Sequence, residues 1–148
     1  KLQPSLTISE NSSEVFSVRF SPDGKFLAAG CGDGAVRVFN VDTGKLVYNL
    51  QHGSSLNLPC TSLRFRPSTA ASKTRNVLVV VNANGSIQHW HMTSGKCLST
   101  IETEDQIYAM DYRNDGAIFG VAGKDHCIRI YDETTKQEAL CLRGGTGY

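Results

Sequence analysis

Apolar and polar positions along the chain alternate in short bursts. Val15, Val18 and Phe20 lead into Pro22-Asp23-Gly24, a turn triplet whose glycine tolerates positive φ. Phe26-Leu27-Ala28-Ala29 follows as a short apolar run. Asp33-Gly34 then marks a tight hairpin, and Val36 and Val38 alternate with Arg37, the period-two pattern of a half-exposed strand. Thr43-Gly44-Lys45 makes a further turn before Leu46–Leu50. Nowhere does a helical period persist for three turns, so all-α and α/β classes fall away.

This unit recurs. Ile107–Gly116 repeats Val15–Gly24 without a gap, and Ile128-Arg129-Ile130-Tyr131 repeats Val36-Arg37-Val38-Phe39. A third copy lies between them, with Cys60–Pro67 matching Val15–Pro22 and Ile87–His91 matching Val36–Asn40. In that copy Ser68–Arg75, polar and small as a surface loop should be, replaces the Asp-Gly turn. Fourth strands follow at Cys97–Ile101 and Ala139–Leu142. Four short strands per unit of ~45 residues is the signature of a propeller blade. The expected architecture is all-β: three four-stranded antiparallel blades forming an incomplete arc. The expected division is 1–13 as the last strand and loop of a preceding blade, then blades at 14–51, 52–102 and 103–143, and an exit loop at 144–148.

The units resemble the WD-repeat family of β-propellers. Phe20-Ser21-Pro22-Asp23-Gly24 and Asp33–Asn40 look like that family's first-strand and third-strand signatures, and Tyr131-Asp132 stands where the family places Trp-Asp. Trp90-His91 stands there in the middle unit. The Gly-His pair that often precedes the first strand is replaced by Glu10-Asn11 and Glu102-Thr103, and reversed as His52-Gly53. Of the family's buried polar network only the turn position persists, as Asp33, Asn84 and Asp125, so the blades are expected to rely on apolar packing. The Trp-Asp-x-Arg motif of ubiquitin-ligase adaptors is absent. Closed propellers use typically four to eight blades. Three units beginning at Lys1 rather than Met therefore imply an arc cut from a larger propeller, or one completed by neighbouring chains.

In the WD-repeat family one face gathers partners around the central channel. The resemblance implies contact positions at Glu14 and Phe16 with Gly32, at Pro59 and Thr61 with Ala83, and at Gln106 and Tyr108 with Lys124. Phe16 and Tyr108 stand out, because aromatic side chains bury large area at low entropic cost.

Composition narrows the function classes. The formal charge is +1, from 15 Lys and Arg against 14 Asp and Glu, which disfavours a dedicated nucleic-acid or anionic-membrane binder. Arg64, Arg66, Lys73 and Arg75 are too few to change that reading. The longest apolar run, Val77–Val81, is too short for a membrane-spanning helix. Five widely spaced cysteines with no Cys-x-x-Cys pair read as small buried hydrophobes in a reducing compartment, hence the cytoplasm, with the nucleus as the alternative. The sequons at Asn11 and Asn84 read as turn chemistry.

Candidate chemistry is thin. Gly30-Cys31-Gly32-Asp33-Gly34-Ala35 copies a dinucleotide fingerprint on paper, but a strand follows where that mechanism requires a helix. No cofactor is expected. His89 and His91 share a strand face, but no further ligand completes a metal motif. His89 is unusual, since its counterparts are Val38 and Ile130. No Gly-x-Ser-x-Gly occurs, and Glu102, Glu104 and Asp105 read as a solvated loop. The sequence thus points to a non-enzymatic scaffold that binds other proteins or peptides. The alternative is a substrate-presenting or regulatory subunit of an enzyme complex.

Overall fold

The computed structural model describes residues 14–50, 59–67, 76–92, 94–103, 106–124 and 126–143. Among the described residues, twelve strands form three sheets. Blade 1 comprises β1 (Val15–Phe20), β2 (Phe26–Cys31), β3 (Val36–Asn40) and β4 (Leu46–Leu50). Blade 2 comprises β5 (Cys60–Phe65), β6 (Val77–Asn82), β7 (Ser86–His91) and β8 (Lys96–Glu102). Blade 3 comprises β9 (Ile107–Tyr112), β10 (Ile118–Gly123), β11 (Cys127–Asp132) and β12 (Glu138–Arg143). Each is a sequential antiparallel meander, and β1, β5 and β9 lie side by side as the inner strands. The expected all-β arc is therefore observed. No helix among the described residues is long and apolar enough to cross a membrane.

The turns form for local reasons. Gly34 and Gly85 take φ of 86° and 90°, a region open to glycine. Asp33 Oδ1 accepts from the Ala35 N–H, and Asn84 Oδ1 from the Ser86 N–H. Asp33 also meets Arg37 at 2.9 Å, and that hydrogen bond chiefly holds its carboxyl below the usual value. The fingerprint-like segment at Gly30–Ala35 is thus a hairpin turn. The third turn aspartate, Asp125, and the pieces at 1–13, 51–58, 68–75 and 144–148 lie outside the described residues.

The core sits in two seams. On one face of blade 2, Leu63, Leu78, Val80, Trp90 and Met92 pack against Ala28, Val36 and Val38 of blade 1. On the other, Val77, Val79, Val81 and Ile87 meet Ile107, Met110, Phe119, Val121 and Tyr131 of blade 3. Val77–Val81 is buried throughout because its sheet is covered on both faces. Among the described residues, blades 1 and 3 each pack against a neighbouring blade on one face only. Val18, Phe20 and Leu46 are exposed on the far side of blade 1, and Ile128, Leu140 and Leu142 on that of blade 3.

One seam departs from the expectation of apolar packing. Glu133, in the turn after β11, is buried between blades 2 and 3. Its Oε1 accepts from His89 Nε2 at 3.0 Å and from the Tyr112 hydroxyl at 2.9 Å. Arg66 Nε and Lys136 Nζ lie 3.7 and 3.5 Å from its Oε2. Phe119 closes the site, stacked on Tyr131 at 5.4 Å and tilted against His89 and Tyr112. Burial alone would raise the Glu133 carboxyl, but the hydrogen bond and charge of His89, the Lys136 charge and the Tyr112 hydrogen bond outweigh it and hold the group below its ordinary value.

Two outcomes follow from this packing. Phe119→Ala removes the ring at the centre of the seam, and urea denaturation should show a loss of about 3–5 kcal/mol. A carboxyl lowered on folding contributes stability that is present above its unfolded value, near 4.3, and is lost as pH falls through the folded value. Acid titration of folding should therefore show a shallower fall for Glu133→Gln than for the native chain; parallel curves would contradict the buried-carboxylate reading.

Candidate protein-binding groove

The inner strands share one irregularity. In β1, Val15 pairs with Cys31 and Ser17 with Gly30, so Phe16 has no partner across the ladder. In β5, Cys60 pairs with Asn82 and Ser62 with Val81, which leaves out Thr61. In β9, Ile107 pairs with Gly123 and Ala109 with Ala122, which leaves out Tyr108. Each blade thus opens with a β-bulge at the same place, and a bulge turns its extra side chain out of the pleat.

A backbone hydrogen bond closes the ladder just beyond each bulge. The Gly32 N–H donates to the Glu14 carbonyl at 2.8 Å, Ala83 to Pro59 at 2.9 Å and Lys124 to Gln106 at 3.0 Å. The six outer positions implied by the resemblance are therefore three hydrogen-bonded pairs at one end of the three blades. Blade 3 shows how tight this end is. A methyl group on Gly123 would sit 1.8 Å from the Gln106 carbonyl oxygen, so only glycine allows the chain to close there.

The bulged residues converge on a groove of about 390 Å³, lined by Phe16, Pro59, Cys60, Thr61 and Tyr108. Phe16 is 56% exposed and Tyr108 53%. Both rings therefore face solvent rather than a neighbouring blade. Thr61 is only partly exposed; its hydroxyl donates to the Ile107 carbonyl at 2.8 Å and ties inner strand to inner strand. The Tyr108 hydroxyl donates to Gln106 Oε1 at 2.6 Å, which fixes the ring's direction. Glu14, Gln106 and Lys124 are exposed at the rim, whereas Gly32 and Ala83 are half-buried backbone partners. Cys60 forms the floor. Burial pushes its thiol up to about 12, so it is un-ionised at neutral pH and a poor nucleophile. Sequence reasoning did not single out Cys60, whose place in the groove follows from the bulge beside it. Pro59 stands in the lining where the resemblance implies a contact position.

The remaining candidates lie elsewhere. His89 is enclosed in the seam with Glu133, and His91 Nδ1 meets Ser94 Oγ at 2.9 Å. Among the described residues no group of three or more His, Cys, Asp or Glu is placed to hold a metal ion. Arg66 turns inward to Glu133 and to the Gly116 carbonyl, and Arg64 faces Asp111 at 3.4 Å. Glu133 itself was not singled out; the one trace of it in the sequence is the unusual His89.

Four-stranded meanders with inner strands abreast and loops gathered at one end define an open arc of a β-propeller. Two family models match: the WD40 domain of anaphase-promoting complex subunit 4 over residues 4–68, and the WD domain, G-beta repeat, over residues 95–132. The chain is a WD-repeat protein. It is 59% identical over 46 residues to the transcriptional repressor tup12 of Schizosaccharomyces pombe, covering 31% of this chain and 8% of that protein. It is 24% identical over 133 residues to the poly(A)+ RNA export protein of the same organism, covering 90% of this chain and 36% of that one. The WD repeat-containing protein VIP3 of Arabidopsis thaliana is 47% identical over 53 residues, 36% of this chain and 16% of VIP3. The chain thus spans little more than a third, or less, of each of these relatives. A chain in the crystal structure of a mitotic checkpoint complex superposes with a TM-score of 0.76 at 22% identity, covering 94% of this chain and 40% of that one. This last likeness shows the fold alone.

Gly123→Ala tests the construction of the groove's end. The added methyl meets backbone rather than a flexible side chain. Thermal unfolding should fall by about 3 °C or more, and amide resonances should shift at Gln106, Ile107 and Tyr108. Unchanged resonances there would mean that the close approach does not position Tyr108.

Proposed function

We propose that this chain is a non-enzymatic interaction scaffold, part of a WD-repeat propeller that assembles a multiprotein complex. Proteins of this family generally mediate protein–protein interactions within complexes. The observation that carries the reading here is the pair of solvent-facing rings, Phe16 and Tyr108, which two bulges deliver to one groove. Its walls are largely apolar and its rim holds both charge signs, Glu14 against Lys124. A partner would insert an apolar or aromatic side chain between the rings and place polar groups at the rim. The un-ionised Cys60 and the occupied Thr61 hydroxyl support binding rather than covalent chemistry.

Further blades, from the same polypeptide or from neighbouring chains, would cover the exposed apolar faces of blades 1 and 3. None of the five cysteines is in a disulfide and three are buried, which supports an intracellular and cytoplasmic setting, since paired thiols mark oxidising compartments. The inward turn of Arg66 removes one of the few basic groups on which nucleic-acid binding would rest.

The triple variant Phe16→Ala/Tyr108→Ala/Lys124→Ala tests the groove. It should abolish partner capture from cell extract while leaving the circular dichroism spectrum unchanged. Capture at the native level by a folded triple variant would overturn the assignment.

A further inference from the structure

The two seams between blades are built at equivalent positions, and comparing them shows a concerted exchange. In the seam between blades 1 and 2, blade 1 presents Ser21 and Val38, and blade 2 presents Phe65, Met92 and Gly95. In the seam between blades 2 and 3 the same places are held by Arg66 and His89 on one side and by Tyr112, Glu133 and Lys136 on the other. All five positions change together, from a mainly apolar set to a polar one. Backbone geometry follows the exchange. Gly44 and Gly95 occupy the equivalent turn with φ near 70°, as glycine readily does, whereas Lys136 is held there at φ 60°. A strained lysine is explained by its reach: Lys136 Nζ donates to the Glu133 carbonyl and stands 3.5 Å from its carboxylate. Bulk is exchanged as well. Tyr48 packs over Gly95 in the first seam, and the position of Tyr48 is the small Ser99 in the next blade, where lysine replaces the glycine.

We infer that Arg66, His89, Tyr112, Glu133 and Lys136 form a pairing key: one matched set that fixes which blade stacks on which. The far face of blade 3 carries Ile130 where blade 2 carries His89, and Arg113 there is engaged with Asp115. A second copy of blade 3 stacked there would bury its Glu133 carboxylate against Ile130 without the His89 and Arg66 partners, left with only the Tyr112 and Lys136 of its own blade, a costly arrangement. The key therefore admits blade 3 onto blade 2 and rejects a second copy of blade 3 on top of the first. The faces around it are mainly aliphatic and would otherwise tolerate several neighbours, so the polar set supplies the discrimination. Among the described residues, buried His89 Nδ1 has no hydrogen-bond partner, and the imidazole's hydrogen bond into the seam is its Nε2 bond to Glu133.

The test is a double-mutant cycle in the full chain, read by thermal unfolding and by hydrogen exchange of the β9–β12 amides. His89→Val and Glu133→Met should each lower Tm by about 6 °C or more and accelerate exchange in blade 3 over blade 1. The double variant should lose clearly less than the two shifts combined. A sixfold variant, R66S/H89V/S99Y/Y112F/E133M/K136G, copies the first seam into the second and should recover most of the loss. Additive single effects, or exchange accelerated equally in blades 1 and 3, would overturn the inference. If Glu133→Met does not fold, a folded sixfold variant supports the key and an unfolded one refutes it.

Discussion

A sheet of four short strands has two faces and no means of burying both by itself. Blade 2 meets that constraint with a neighbour on each side, Val38 and Ala28 against one face and Phe119 and Ile107 against the other. Its strand Val77–Val81 is buried from end to end for that reason, and most of the apolar content of the chain is directed to the two seams. The same constraint explains the outer blades. Phe20 and Tyr112 hold equivalent positions, yet Phe20 is 63% exposed and Tyr112 8%; Val18 and Met110 show the same contrast at 48% and 3%. These residues are built for a seam, and whether they are buried depends on which face has a neighbour.

The constraint also positions the groove. With inner strands abreast, the ends of β1, β5 and β9 are brought together, and their bulges point three side chains into one space. None of these residues is gathered by proximity in sequence. Phe16 and Tyr108 meet because two copies of one unit are stacked around a third. The hydrogen bonds from Gly32, Ala83 and Lys124 then hold the three strand ends in place without involving any side chain.

The fold was largely legible in the sequence, since turn triplets such as Pro22–Gly24 and alternations such as Val36–Val38 are local signals and recur. The groove was legible only through the family resemblance and the repeat. Nothing local in Pro59-Cys60-Thr61 announces a lining, because the bulge depends on pairing with a strand some twenty residues away. The polar seam was hardly visible at all. Glu133 follows Asp132 in a turn rich in polar residues and reads there as one more solvated carboxylate. Its burial depends on His89, forty-four positions earlier and in another blade. The expectation of apolar seams came from the missing family network within each blade, and what the structure adds is a different network between blades.

The bulges have one more consequence. A residue that pairs with nothing across the ladder can be exchanged without disturbing the strand register or either seam. Phe16 and Tyr108 are therefore free to drift independently of the scaffold that carries them. A lineage could retune what such a surface recognises while its folding stability stays under separate selection, and Thr61, already tied to a neighbouring strand, marks the one bulge where that independence has been given up.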